Sequence, residues 1–73
     1  MSSIPQHRRT LGENIRIHRK RLGLSQEKLA EKAELHPVYI GHVERGGENI
    51  SIDSLVRITK ALKISLRDLV SGI

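Results

Sequence analysis

Four histidines, His7, His18, His36 and His42, are the side chains of this 73-residue chain best suited to proton transfer or metal binding. Their spacing suits neither, because no two stand four apart as zinc ligands on one helical face, and HExxH is absent. There is no cysteine to supply a thiolate, no glycine-rich phosphate loop and no serine beside a plausible base. Catalysis is not expected, nor is a cofactor, a metal or a small-molecule ligand. Recognition chemistry remains, concentrated in Pro37-Val38-Tyr39-Ile40-Gly41-His42-Val43-Glu44-Arg45-Gly46. The imidazole of His42 both donates and accepts hydrogen bonds, and Val38 presents methyl groups. These suit the edge of a base and the methyl of thymine in a major groove. The bland alternative is that both are simply exposed.

Such residues need a rigid element behind them, and this stretch is a poor helix former. It carries three β-branched residues, and its interior Gly41 costs about 1 kcal/mol relative to alanine. Its ends are well marked, however: Pro37 suits a first helical position and Gly46 a left-handed stop. At roughly 100° per residue, Ile40 and Val43 share one side, which with Leu35 must face a core. Val38 and His42 lie opposite, with Pro37 and Gly41 on one flank and Tyr39 on the other. These outward residues are the candidates for DNA contact.

The surrounding elements follow from the same grammar. Leu11, Ile15, His18 and Leu22 form one inward stripe of a first helix, with Arg16, Lys20 and Arg21 opposite and Gly23 at its end. The expectation for His18 is a partly buried, hydrogen-bonded core residue. Ser25 is a good N-cap, bracketed by a staple of Leu24 and Leu29. The staple recurs as Leu35 with Ile40, Ile50 with Leu55, and Ile64 with Leu69. Helices are predicted at 9–22, 26–33, 37–44, 52–62 and 66–71, after a mobile polar arm at 1–8. The fold class is all-α. Only Glu34, Leu35 and His36 separate the second and third helices, the sharp link of a helix-turn-helix.

Thirteen Lys and Arg against eight Asp and Glu give a net charge of +5 and a pI near 10.3. That balance favours a polyanionic partner, although a merely soluble basic surface is the alternative. Tyr39 is the only aromatic residue, which argues against single-stranded nucleic-acid platforms built on stacked rings. No stretch approaches the ~18 apolar residues of a membrane span, and Met1–His7 lacks the apolar run of a signal peptide. The expected location is cytoplasmic.

The runs LSQEKLAEKA (Leu24–Ala33), YIGHVERG (Tyr39–Gly46) and SLVRITKAL (Ser54–Leu62) closely resemble the Cro/repressor-like (Xre) helix-turn-helix family, over about residues 11 to 70. The resemblance implies a compact five-helix, lambda-repressor-like DNA-binding domain, here 9–73. It further implies a homodimer regulating transcription from a palindromic double-stranded operator. Within the family, Gln26 matches a phosphate clamp that also braces the third helix. Tyr39 falls where a hydroxyl commonly meets a phosphate; otherwise its ring would pack beside the hinge. Arg45 is a second phosphate candidate, or a cation suited to a helix C-terminus. Arg19 and Glu44 occupy the places of a structural bridge between the first and third helices.

Three positions depart from the family pattern. Glu34 and Lys63 stand where glycines often end helices, at a cost of about 1 kcal/mol each if left-handed. His36 replaces the usual Ser or Thr cap, leaving a weaker cap or a phosphate contact. Arg8, Arg9, Arg16, Lys20 and Arg21 either reach flanking phosphates or form a solvated basic face. Apolar Ile64, Leu66, Val70 and Ile73 suit a symmetric dimer seam, which would set two recognition helices about 34 Å apart. They equally suit a protein-interaction module such as an antitoxin or adaptor. The brevity of the chain resembles phage repressors and, slightly more, controller proteins of restriction–modification systems.

Overall fold

The computed structural model describes residues 3–73, and it contains five helices and no strand among them. They are α1 (Gln6–Arg21), α2 (Gln26–Ala33), α3 (Pro37–Glu44), α4 (Ile52–Leu62) and α5 (Leu66–Leu69). The four staples organise the entries. Leu29, Ile40, Leu55 and Leu69 are buried, and Leu24, Leu35, Ile50 and Ile64 pack half-buried against the same core. Each of these four stapled entries has a side-chain cap: Ser25 Oγ accepts from Lys28 N–H, Ser51 Oγ from Ser54 N–H, and Ser65 Oγ from Asp68 N–H. At α3 the cap is His36, whose Nδ1 accepts from Val38 N–H at 3.1 Å.

The exits of α1 to α4 share one pattern. At α3, Gly46 N–H bonds Val43 O at 3.0 Å and Gly47 N–H bonds His42 O at 2.9 Å, the paired closing bonds of a Schellman stop. Gly46 supplies the left-handed backbone there, with φ +80°. Equivalent pairs close α1 at Gly23 and Leu24, α2 at Glu34 and Leu35, and α4 at Lys63 and Ile64. Glu34 and Lys63 therefore take left-handed conformations, φ 57° and 58°, without being glycine.

Three boundaries differ from the sequence expectation. Helix α1 starts at Gln6, after an extended Pro5, so the last three residues of the expected arm, Gln6 to Arg8, are helical; Met1 and Ser2 lie outside the described residues. Its first turn turns no large apolar side chain inward, and hydrophobic period therefore could not reveal it. Leu22, placed on the inward stripe, is 44% exposed, because the helix has closed before it and the chain turns toward Gly23. His18 is half-buried, but its ring makes no hydrogen bond among the described residues. Helix α5 ends at Leu69 rather than 71, and Asn14 Nδ2 on α1 donates to Leu69 O at 2.9 Å and Ser71 O at 2.8 Å.

Ile15, Leu29, Ile40, Ile58, Leu62 and Leu69 fill the centre. Burying each such side chain stabilises the fold by about 1.5–3 kcal/mol. Helix α2 packs on both α3 and α4, while α1 closes over α3 and α5. At one point α1 and α3 touch backbone to backbone. A Cβ on Gly12 would lie 2.5 Å from both Val43 O and Glu44 O, so only glycine fits there.

Candidate nucleic-acid interface

Helix α3 is positioned by its inward residues, with Ile40 fully buried and Val43 2% exposed. Its other side is open. Val38 is 58% exposed, and the His42 side chain is accessible too. Pro37 is half-buried at the first turn. Tyr39 is also half-buried, with its ring against the core.

Gly41 is the correction on this face. It is buried, although a helical wheel places it on the accessible flank. A Cβ there would lie 3.4 Å from Arg45 Nη1 and 3.5 Å from Gln26 Oε1. The amide of Gln26 and the guanidinium of Arg45 roof this residue, and the surface over it is theirs.

Beneath that roof lies the scaffold. Arg19 Nε donates to Glu44 Oε2 at 2.6 Å, and Nη2 to Glu44 Oε1 at 3.0 Å, a two-pronged bridge whose side chains are 10% and 4% exposed. Arg19 Nη1 also donates to Leu24 O at 2.9 Å, tying the end of α1 to the entry of α2. Gln26 Nε2 donates to Glu44 Oε1 at 3.0 Å. One carboxylate thus joins α1, α2 and α3. The hydrogen bonds to Glu44 raise the pKa of Arg19 against the opposing effect of burial, and the carboxylate charge adds to the rise. The guanidinium stays charged wherever the protein folds.

The same bridge limits what the amide of Gln26 can bind. One amide hydrogen is committed to Glu44, and the other remains to meet an anion at the start of α2. Free backbone N–H groups and the positive helix end favour an anion at the same place. Arg45 is exposed and shares an open groove with Arg9, Arg16 and Lys20 of α1. His36 has its Nδ1 engaged in the cap, leaving Nε2 for an outside contact. A residue absent from the sequence-based reading also stands here: Glu48 Oε1 lies 3.4 Å from His42 Nδ1. It is six residues beyond His42, past the α3 stop, where helical spacing carries no information.

The C-terminal apolar residues divide. Ile64 and Val70 pack half-buried against their own core, whereas Leu66 is 37% and Ile73 59% exposed. No helix among the described residues is long and apolar enough to cross a membrane.

Comparison with known proteins places this geometry. Residues 15–69 match the family model described as helix-turn-helix. The chain is 42% identical over 59 residues to control protein C.BamHI of Bacillus amyloliquefaciens, covering 80% of this chain and 73% of that one. It is 44% identical over 61 residues to control protein C.SmaI of Serratia marcescens, covering 84% and 73%. Its backbone superposes with a TM-score of 0.84 on the restriction-modification controller protein C.AhdI from Aeromonas hydrophila, at 39% identity over 85% of this chain and 94% of that one. The match runs from the middle of α1 through α5 and includes every element that positions the α3 face, and the chain belongs to the helix-turn-helix family.

Proposed function

We propose that the protein is a sequence-specific double-stranded DNA-binding transcriptional regulator that inserts α3 into the major groove of a palindromic operator as a homodimer. One observation carries the reading. An α3 face with Val38 and His42 exposed is flanked by Gln26 and Arg45, whose side-chain ends both lie over Gly41. Val38 and His42 read bases, with Pro37 at the edge. Gln26, Tyr39, Arg45 and His36 hold phosphates, and Gly41 sets how closely their roof rides on α3. The likeness to C.BamHI, C.SmaI and C.AhdI favours control of a restriction–modification locus among the possible regulatory settings.

Leu66 and Ile73, with Ile64 and Val70 beside them, form the proposed dimer seam. The same exposed pair keeps a second reading open, a module that docks another protein. Mass measured against concentration decides between them, since a chain that stays monomeric when concentrated has no self-complementary seam.

The DNA reading is tested by selecting binding sites from random duplexes, then titrating variants on selected and random DNA. His42→Ala should narrow the gap between the two by about 1–3 kcal/mol. Gln26→Ala should weaken both alike and leave the salt dependence unchanged, because a neutral amide neutralises no phosphate. A chain that selects no sequence, and whose binding does not fall with salt, is not this regulator.

A further inference from the structure

Glu48 owes its place to the turn that closes α3. Gly47 N–H bonds the carbonyl of His42 at 2.9 Å, folding the chain back beside His42 itself. From there Glu48 Oε1 reaches to 3.4 Å from Nδ1 of the imidazole. Both side chains stay accessible, at 47% for His42 and 36% for Glu48, so the pair forms on the DNA-facing side without being locked in the core.

A neutral imidazole carries one ring hydrogen, and the group facing one nitrogen decides which nitrogen holds it. Opposite a carboxylate, a bare Nδ1 would set lone pair against lone pair, so the hydrogen belongs on Nδ1. Nε2 is then left as an acceptor. In the major groove the bases offering a donor are adenine through its N6 amino group and cytosine through its N4 amino group. Guanine and thymine offer acceptors at the corresponding edge.

We propose that Glu48 is a positioning residue that fixes His42 as a hydrogen-bond acceptor at Nε2, so that α3 selects adenine or cytosine at the base His42 meets. The inference rests on His42 contacting a base; the ring state can be read without DNA, which keeps the two claims separable. Direct readout of cytosine by the Glu48 carboxylate is the competing account. It leaves the ring hydrogen unassigned and predicts no effect of Glu48 on His42.

The experiment has two arms on the full chain. Ring 15N chemical shifts at a pH of about 8, above the ordinary histidine range, report which nitrogen of His42 is protonated. The expected result is Nδ1–H in the parent protein and a move toward Nε2–H, the form free imidazole prefers, in Glu48→Ala. Selection from random duplexes at the same pH should return adenine or cytosine at the position whose preference His42→Ala abolishes. In Glu48→Ala that preference should move toward guanine or thymine by about five- to tenfold, the worth of one hydrogen bond. An Nε2–H ring in the parent protein overturns the proposal. So does a Glu48→Ala variant with unchanged base preference, or one that loses a cytosine preference while its ring state stays the same. If His42→Ala alters no selected base, the base-contact reading falls and the specificity claim with it, whatever the ring state.

Discussion

Replacing Gly12 by alanine pits two effects of similar size against each other. Alanine in the interior of α1 improves helix propensity by about 1 kcal/mol. Its Cβ would, however, sit 2.5 Å from the carbonyl oxygens of both Val43 and Glu44, and 2.8 Å from the Glu44 carbonyl carbon. Unbonded carbon and oxygen need about 0.5–1 Å more than that. Backbone at a hydrogen-bonded helix stop cannot rotate aside, since Val43 O accepts from Gly46 N–H at 3.0 Å. Helix α1 must therefore lift from α3, and the lift stretches the 2.6 Å bond between Arg19 and Glu44. Overpacking costs about 1–3 kcal/mol, and the weakened bridge adds to it. A net loss of about 2 kcal/mol is expected, lowering Tm by about 8–16 °C in a domain this small. Gly41 is the control: a Cβ there meets only side-chain ends at 3.4–3.8 Å. Gly41→Ala should raise stability by about 0.5–1 kcal/mol through propensity alone. Thermal and urea unfolding followed by circular dichroism measure both. A Gly12→Ala variant as stable as the parent would refute the argument from close approach.

Glu44→Ala should cost about 3–5 kcal/mol, because it leaves the Arg19 cation buried with only the Leu24 carbonyl and frees the Gln26 amide. Arg19→Met with Glu44→Leu should cost much less than the sum of the single changes, as urea midpoints in a double-mutant cycle would show; additive losses would mean the bridge acts as two independent surface charges. Lys63→Gly and Glu34→Gly should each stabilise by about 1 kcal/mol by relieving φ values of 58° and 57°. A fall in Tm for either would place the strain elsewhere.

The elements whose signals are local were legible in the sequence. The staples Leu24–Leu29, Leu35–Ile40, Ile50–Leu55 and Ile64–Leu69 each span six residues and mark their helix entries with no knowledge of the rest of the chain. The left-handed stops at Glu34 and Lys63 were located only through family resemblance, since neither residue type announces one. The first turn of α1 was missed because Gln6, His7, Arg8 and Arg9 bring no apolar side chain inward, so the sequence carries no period there. Gly12 was missed for a different reason: its constraint is two carbonyl oxygens more than 30 positions away, and a lone glycine in a helical run looks like a weakness. On α3 the exposure of Val38 and His42 followed from helical geometry, but the roof over Gly41 did not. That roof is made by Gln26 at the start of α2 and by Arg45 at the α3 C-cap, and a helical wheel of Pro37–Glu44 contains neither.

The poor helix propensity of α3 fits this division of labour. An isolated eight-residue segment would not be helical in water; here its entry is capped by His36, its exit is closed by Gly46 and Gly47, and its inner side is clamped by Ile40, Val43 and Glu44. None of those contacts uses the side chain of Val38, whose backbone N–H alone meets the cap, and among the described residues the side-chain partner of His42 is Glu48, itself outside the helix. Folding therefore places little demand on the types at 38, 42 and 48. Substitutions there can change which DNA is bound while the Arg19–Glu44–Gln26 scaffold keeps the face in place. Wide sequence differences among relatives at these three positions, within one conserved backbone, are the expected result of separating what holds α3 from what α3 presents.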